Sequence, residues 1–180
     1  VFAVAVVALF FFKGFLFDSI ILAPSKSDFF MYRLLSADFS MTLVNIEVAA
    51  QFLIHMKITF IMALIVTFPY IVFEIWRFIL PALYERERKV IRGAFTFASV
   101  LFYIGVVVGY SVVFPLMLNF FSGYQVSPDI PNTFSLTSYI SLFTSLVLTF
   151  GIVFEFPTVV AVLSSLGVVT KEGMRSFRKH

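Results

Sequence analysis

Residues 136–169 read LTSYISLFTSLVLTFGIVFEFPTVVAVLSSLGVV, and Glu155 is the one charged side chain among them. A helix needs about 20 mainly apolar residues to cross roughly 30 Å of hydrocarbon, and this stretch exceeds that length. Residues 46–80 form a second overlong run, with Pro69 inside it and Trp76 near its far end. A span longer than the bilayer requires must tilt, kink at its proline or protrude into water.

The whole chain agrees with these two runs. Its 180 residues are 61% hydrophobic and 13% charged, with 26 Phe and no Cys, and the mean hydropathy is +1.02. A soluble domain carries about 45–50% apolar and roughly 25% charged residues, and a chain this short has no core large enough to hide the difference. A soluble enzyme, a disordered tail and a disulfide scaffold are excluded, as are thiolate metal sites and a cysteine nucleophile. The net charge of +3 suits topology-setting loops better than nucleic acid.

Working outward, residues 1–12 are uninterrupted apolar sequence, followed by Lys13, Gly14 and more apolar residues. A first span over about 1–17 is expected, with Lys13 snorkelling. The start at Val1 rather than Met reads as that of a fragment. No basic stretch precedes the run, which argues against a secretory signal. The third span covers about 90–118, contains Gly105 and Gly109 and ends near Pro115; the fourth is 136–169. Between them lie loops over 18–45, with a short amphipathic helix, over 81–92, and over 119–135, and a basic tail over 170–180. The sequence therefore predicts one transmembrane domain, an all-α polytopic membrane protein with four transmembrane helices present.

Arg77, Arg86, Arg88, Lys89, Arg92, Lys171, Arg175, Arg178 and Lys179 fall on one side of this arrangement, against Lys13, Lys26, Arg33 and Lys57 on the other. By the positive-inside rule the 81–92 loop and both chain ends are cytoplasmic.

Glu155 is the sharpest chemical signal. A carboxylate deep in lipid is costly, and such residues face a bundle interior or wet cavity and mark a pathway or binding site. The structural alternative is a neutral carboxyl hydrogen-bonded to Ser or Thr on a neighbouring span. Glu85 and Glu87 alternate with Arg86, Arg88 and Lys89, a pattern that charge alone reads as a solvated face. Glu74 and Arg77 are spaced to pair on one helix face. His55 reads as an interfacial polar residue, and with His180 the only other histidine no metal constellation exists. Gly105 and Gly109 fit close helix packing. Trp76, Tyr84, Tyr124 and Tyr139 suit interfacial belts. Catalytic motifs, including Walker loops and His-Glu-x-x-His, are missing.

Three segments carry a resemblance. Phe68-Pro69-Tyr70 followed by Trp76-Arg77-Phe78-Ile79-Leu80-Pro81-Ala82-Leu83-Tyr84-Glu85-Arg86-Glu87-Arg88 resembles the most distinctive stretch of the TatC family of twin-arginine translocase subunits. Leu101 to Gly105 and Val113 to Leu116 resemble its third helix, and Phe150 to Pro157, with Glu155, its fourth. The resemblance implies a six-helix cupped bundle lacking, in this chain, the N-terminal cytoplasmic segment and last two helices. It implies a non-enzymatic receptor for twin-arginine signal peptides, working without cofactors and with TatA-like and TatB-like single-span partners in a multimeric complex of the bacterial inner membrane. That complex would move folded proteins on the proton-motive force, with no role for nucleic acid.

The same resemblance places signal-peptide binding at Glu87 and Arg88, with Phe78 and Pro69 in the same region, and an intramembrane functional carboxyl at Glu155. The chemistry is consistent, because a carboxylate takes a guanidinium bidentately and lysine lacks that fork. Glu74 and Ala50 depart from the Gln and Glu of many members. A second reading from the residues is a proton-coupled small-solute transporter with Glu155 as its proton site, which requires structural repeats that the sequence lacks; a third is a helix-packing subunit without a ligand.

Overall fold

A computed structural model describes residues 1–26, 28–35, 41–79, 81, 85–124, 127 and 132–165; residues 34, 35, 79, 85–92 and 165 are described for their backbone alone. Its main elements are helix α1 (Phe2–Phe11), a wide-turned π-helical segment Phe15–Ile21, helix α2 (Phe30–Leu35), strand β1 (Leu43–Val44), helix α3 (Ala50–Ile79), helix α4 (Glu85–Val108), a second π-helical segment Gly109–Val113, helix α5 (Phe114–Gly123), strand β2 (Phe134–Ser135) and helix α6 (Leu136–Ser165).

Three continuous stretches are long and apolar enough to cross a membrane: Ala50–Phe78, Gly93–Gly123 and Leu136–Ser164. The expected first span over 1–17 takes a different course: Phe2–Phe11 and Phe15–Ile21 meet at a bend of 90°. The chain turns at Phe12, whose backbone leaves helical geometry (φ −90°, ψ 29°), and Gly14 is already back in it (φ −60°, ψ −51°). Beyond the turn Leu16 and Ile21 are buried, so residues 15–21 pack against the bundle instead of extending the span. The short helix foreseen in the first loop is α2, and it turns Met31 and Tyr32 into the protein.

Helices α4 and α6 run antiparallel in close contact, and glycine is the reason. A Cβ on Gly105 would collide with the carbonyl oxygen of Phe150 and stand 2.9 Å from Phe154 Cβ; one on Gly151 would stand 2.8 Å from Phe102 Cε2. Gly109 faces Phe150 and Val147 in the same way. Helix association in lipid has no hydrophobic drive and depends on van der Waals fit, which small residues make available. Helix α3 joins this pair by stacking Phe68 on Phe102 with centroids 3.6 Å apart, and by Trp76 against Phe95 at 5.7 Å. Helix α1 lies antiparallel along α3, with Phe2 near Phe60 and Phe10 stacked on His55.

The end of the bundle where α3 starts and α5 ends is covered by a cap built from residues 15–26, 28–35 and 41–44. Each backbone carbonyl removed from water needs a donor, and at this end tyrosines supply it. Tyr110 donates to the Ile20 carbonyl at 2.8 Å, Tyr139 to that of Ile21 at 2.7 Å, and Tyr32 to that of Pro24 at 2.8 Å. The two isoleucines close the Phe15–Ile21 segment, where carbonyls have no partner in the helix. Burial pushes the Tyr32 phenol above its ordinary range, which keeps it a donor. β1 and β2 pair in parallel, Leu43 with Phe134 and Val44 with Ser135, tying the first cap segment to the start of α6.

Pro69 and Pro157 lie inside α3 and α6 without ending them, and Pro115 does not end the third span. The third span was expected to end near 118, but α5 continues to Gly123 because Pro115 falls in its first turn, just after the wide Gly109–Val113 segment. Asn132 then caps the helix end by donating to the Tyr124 carbonyl at 2.8 Å and towards those of Phe121 and Ser122 at 3.3 and 3.4 Å. At the start of α6, Ser135 Oγ accepts the Ser138 amide at 3.1 Å, an N-cap.

Two stability predictions follow from this packing. Gly105→Ala forces α4 from α6 and should destabilise the protein by about 1–3 kcal/mol, whereas Gly93→Ala, at an exposed helical position with open space, should stabilise it by up to ~1 kcal/mol; thermal unfolding in detergent distinguishes them. Tyr139→Phe leaves the Ile21 carbonyl without its donor and should cost about 1–3 kcal/mol, seen as faster hydrogen exchange over residues 15–26, while Tyr124→Phe at an exposed position leaves that region unchanged.

Candidate functional site

The residues singled out from the sequence fall in two layers. The first is at the open end, where α3 finishes and α4 begins. Phe78 is 84% exposed one residue before the end of α3, an unusual position for a large ring unless lipid or a partner covers it. Glu87 and Arg88 lie in the first turn of α4, which starts at Glu85; their side chains, like Tyr84 and residues 166–180, lie outside the described residues. Acids in a first turn are favoured by the helix dipole. The Trp76–Phe95 contact joins the two helices here, so Phe78 and the Glu87–Arg88 turn share one end of the bundle. Glu74, expected to pair with Arg77, has the Tyr70 hydroxyl against it one turn earlier, with Arg77 on the same face.

The second layer is deeper. Fifteen residues of α4 separate Glu87 from Phe102, about 22 Å of helix. Here Phe68 stacks on Phe102, Phe102 covers Gly151, and one turn beyond Gly151 the Glu155 carboxyl lies beside Thr158 and the Phe102 backbone. Glu155 Oε1 and Thr158 Oγ1 are both buried without a hydrogen-bond partner. Thr158 and the Phe102 backbone come near the carboxyl without meeting strict hydrogen-bond geometry at Oε1 or Oγ1. This seam therefore holds an incompletely satisfied acceptor and hydroxyl side by side, and an unmet buried polar atom costs about 1–3 kcal/mol. Around them Ile152, Val153, Phe156 and Val159 are exposed, so the carboxyl borders a surface that faces hydrocarbon or another helix. The alternative of a carboxyl bonded to Ser or Thr on a neighbouring span is not what is seen: the nearest hydroxyl, Thr158, is on the same helix.

Pro69 belongs to the same layer through its neighbours. Phe68 beside it forms the stack, and Tyr103 of α4 donates to the carbonyls of Ile65 and Val66 at 3.2 and 3.3 Å. The five sequence-derived positions thus divide into Phe78, Glu87 and Arg88 at the open end, and Pro69 and Glu155 in the deeper layer, linked through Phe102 and Tyr103. Sequence reading missed those two linking residues. The available signal for Tyr103 was Pro69 itself, since a proline in a helix leaves the carbonyl four residues earlier in need of a donor.

Two expectations for other residues change. Tyr139 is 3% exposed and bonded inside the protein, and does not stand in an interfacial belt; Tyr124 is exposed, stacked on Phe120. His55 lies between the rings of Phe10 and Phe17, with Nε2 buried and unpartnered. Among the described residues no group of three or more His, Cys, Asp or Glu is placed to hold a metal.

Comparison with known proteins identifies the arrangement. The TatC family, described as Sec-independent protein translocase protein, matches residues 1–180. The TatC protein of Blattabacterium (from Periplaneta americana, strain BPLAN) is 33% identical over 183 aligned residues, covering 93% of this chain and 69% of that protein. The Escherichia coli K12 protein is 37% identical over 144 residues, 77% of this chain and 54% of its own length. A crystal structure of the twin arginine translocase receptor TatC in DDM superposes with a TM-score of 0.79 at 31% identity, covering 99% of this chain and 75% of that one. This chain thus spans about half of the Escherichia coli protein and a larger part of the Blattabacterium one. With the family matched along its whole length and the helices superposing on a solved member, the chain is a polytopic helical membrane protein that belongs to the TatC family of Sec-independent protein translocase proteins.

Proposed function

We propose that this chain is the signal-peptide receptor and core subunit of a twin-arginine translocase, a non-enzymatic component that passes folded proteins across the bacterial cytoplasmic membrane on the proton-motive force. The observation that carries the reading is the family match over residues 1–180, supported by the likeness to a solved protein named as a translocase receptor. The open end of the bundle is the cytoplasmic face in this reading, in line with its Arg and Lys residues. Glu87 takes the paired guanidinium groups of the signal peptide, Arg88 stands beside it, and exposed Phe78 offers an apolar surface to the peptide residues that follow. Pro69 shapes the helix that carries Phe78.

Glu155 Oε1 and Thr158 Oγ1 are buried beside the exposed apolar residues Ile152, Val153, Phe156 and Val159, and form a polar notch in this reading. In the proposed complex this notch faces the single-span TatA-like or TatB-like subunits, where a polar group in lipid gains most from a partner.

Glu87→Ala in the full-length protein should reduce crosslinking to an Arg-Arg signal peptide about tenfold, the scale of one charge-assisted hydrogen-bonded pair. A Lys-Lys peptide should be captured weakly by the unaltered protein; equal capture of both peptides by both proteins would remove Glu87 from the site. Glu155→Gln should lower export of a folded reporter while leaving signal-peptide crosslinking intact. Uptake of a small solute by the reconstituted protein, abolished by the same substitution, would favour the carrier reading instead.

A further inference from the structure

Helix α3 runs without interruption from Ala50 to Ile79, although Pro69 lies inside it. In an α-helix the amide of residue 69 would bond the carbonyl of residue 65, and proline has no amide proton. Ile65 is buried, so its carbonyl has no water to turn to, and an unmet buried carbonyl is a standing cost. In a continuous helix the next carbonyl, that of Val66, is the acceptor of the Tyr70 amide. The Tyr103 hydroxyl of α4 reaches both, at 3.2 Å from Ile65 O and 3.3 Å from Val66 O.

We propose that the Tyr103 hydroxyl is the replacement donor for the amide that Pro69 lacks, and that this cross-helix bond fixes the direction in which the last third of α3 presents Phe78. The second half of the statement rests on the receptor reading given above; the first does not. Without the hydroxyl, the helix has a missing rung at 69 and the Ile65 carbonyl loses the donor that α4 supplies. The segment Tyr70–Ile79 would then pivot about the Phe68–Phe102 stack, whose centroid separation of 3.6 Å puts it directly beside the break. Tyr103 is in this sense a positioning residue: it acts on the open end through the backbone of α3, about 18–20 Å of helix from Phe78.

The replacement idea makes a coupling prediction that simple packing does not. Tyr103→Phe keeps the ring and removes only the hydroxyl. Pro69→Ala restores an amide at 69, which can bond the Ile65 carbonyl within the helix and make the hydroxyl redundant. In full-length protein in lipid nanodiscs, Tyr103→Phe should therefore speed amide hydrogen exchange over residues 66–79 about fivefold, the scale of one net hydrogen bond. The same change made on top of Pro69→Ala should have no effect. Photocrosslinking of an Arg-Arg signal peptide, from a benzophenone side chain replacing Phe78, should fall with Tyr103→Phe and recover when Pro69→Ala is added.

Equal acceleration of exchange by Tyr103→Phe in both backgrounds would overturn the replacement-donor proposal. Coupled exchange with unchanged crosslinking, in a protein where Glu87→Ala still reduces capture, would overturn the positioning role. If no peptide is captured at position 78 in any variant, the receptor reading fails, and the exchange coupling alone decides whether the hydroxyl replaces the amide.

Discussion

The contact of α4 with α6 sets most of what else the molecule does. Gly105, Gly109 and Gly151 allow the two backbones to approach until a single added Cβ would overlap its neighbour. That separation places the Phe102 ring over Gly151 and directs its opposite face to Phe68 of α3. It also brings Glu155, one turn past Gly151, against the Phe102 backbone. Were α4 and α6 farther apart by the width of a side chain, the carboxyl would be solvated by lipid-exposed groups or withdrawn, and the third helix would lose its stacking partner. In hydrocarbon, dispersion contacts of this kind take over the role that apolar burial has in water.

A second constraint is the obligation to satisfy carbonyls, which this chain meets with phenols to an unusual degree. Tyr32, Tyr103, Tyr110 and Tyr139 each donate to main-chain oxygens. A tyrosine suits the task in a membrane because its ring packs as a hydrophobe while its hydroxyl carries one proton to a defined point. Three further hydroxyls, on buried Thr59, Thr67 and Thr144, return to the carbonyls of His55, Ala63 and Ile140 on their own helices. Glu155 and Thr158 stand out against this background as polar groups left open.

The sequence made the spans legible because apolar length and loop charge are one-dimensional properties. Residues 136–169 and 46–80 announce helices by length alone, and Gly105 and Gly109 announce a close contact by spacing. The identity of their partner, Gly151, was invisible, since nothing in a single chain says which helix faces which. The bend in the first span was not legible for a related reason. Residues 1–17 are apolar throughout apart from Lys13 and Gly14, and apolarity does not distinguish a helix that continues across a membrane from one that turns by 90° and packs against its own bundle. Tyr139 was misread similarly, because a tyrosine near a span end suits an aromatic belt and a buried clamp equally well. Of the site, Glu155 was legible from its isolation among apolar residues. The open-end positions Phe78, Glu87 and Arg88 rested on resemblance, since their charge pattern alone reads as an ordinary solvated face.

The cap also bears on how the protein is made. The Ile21 carbonyl waits for Tyr139, a partner 118 residues later in the chain, and β1 waits for Phe134 and Ser135. A ribosome adds about 5–20 residues per second, so the early segment spends roughly 6–24 s outside the peptidyl-transferase centre before its partners exist. During that interval Leu43–Val44 is an unpaired edge and the end of the Phe15–Ile21 segment is undocked. The nascent chain therefore passes through a stage in which the Ile21 carbonyl and β1 are in place before the residues that complete them.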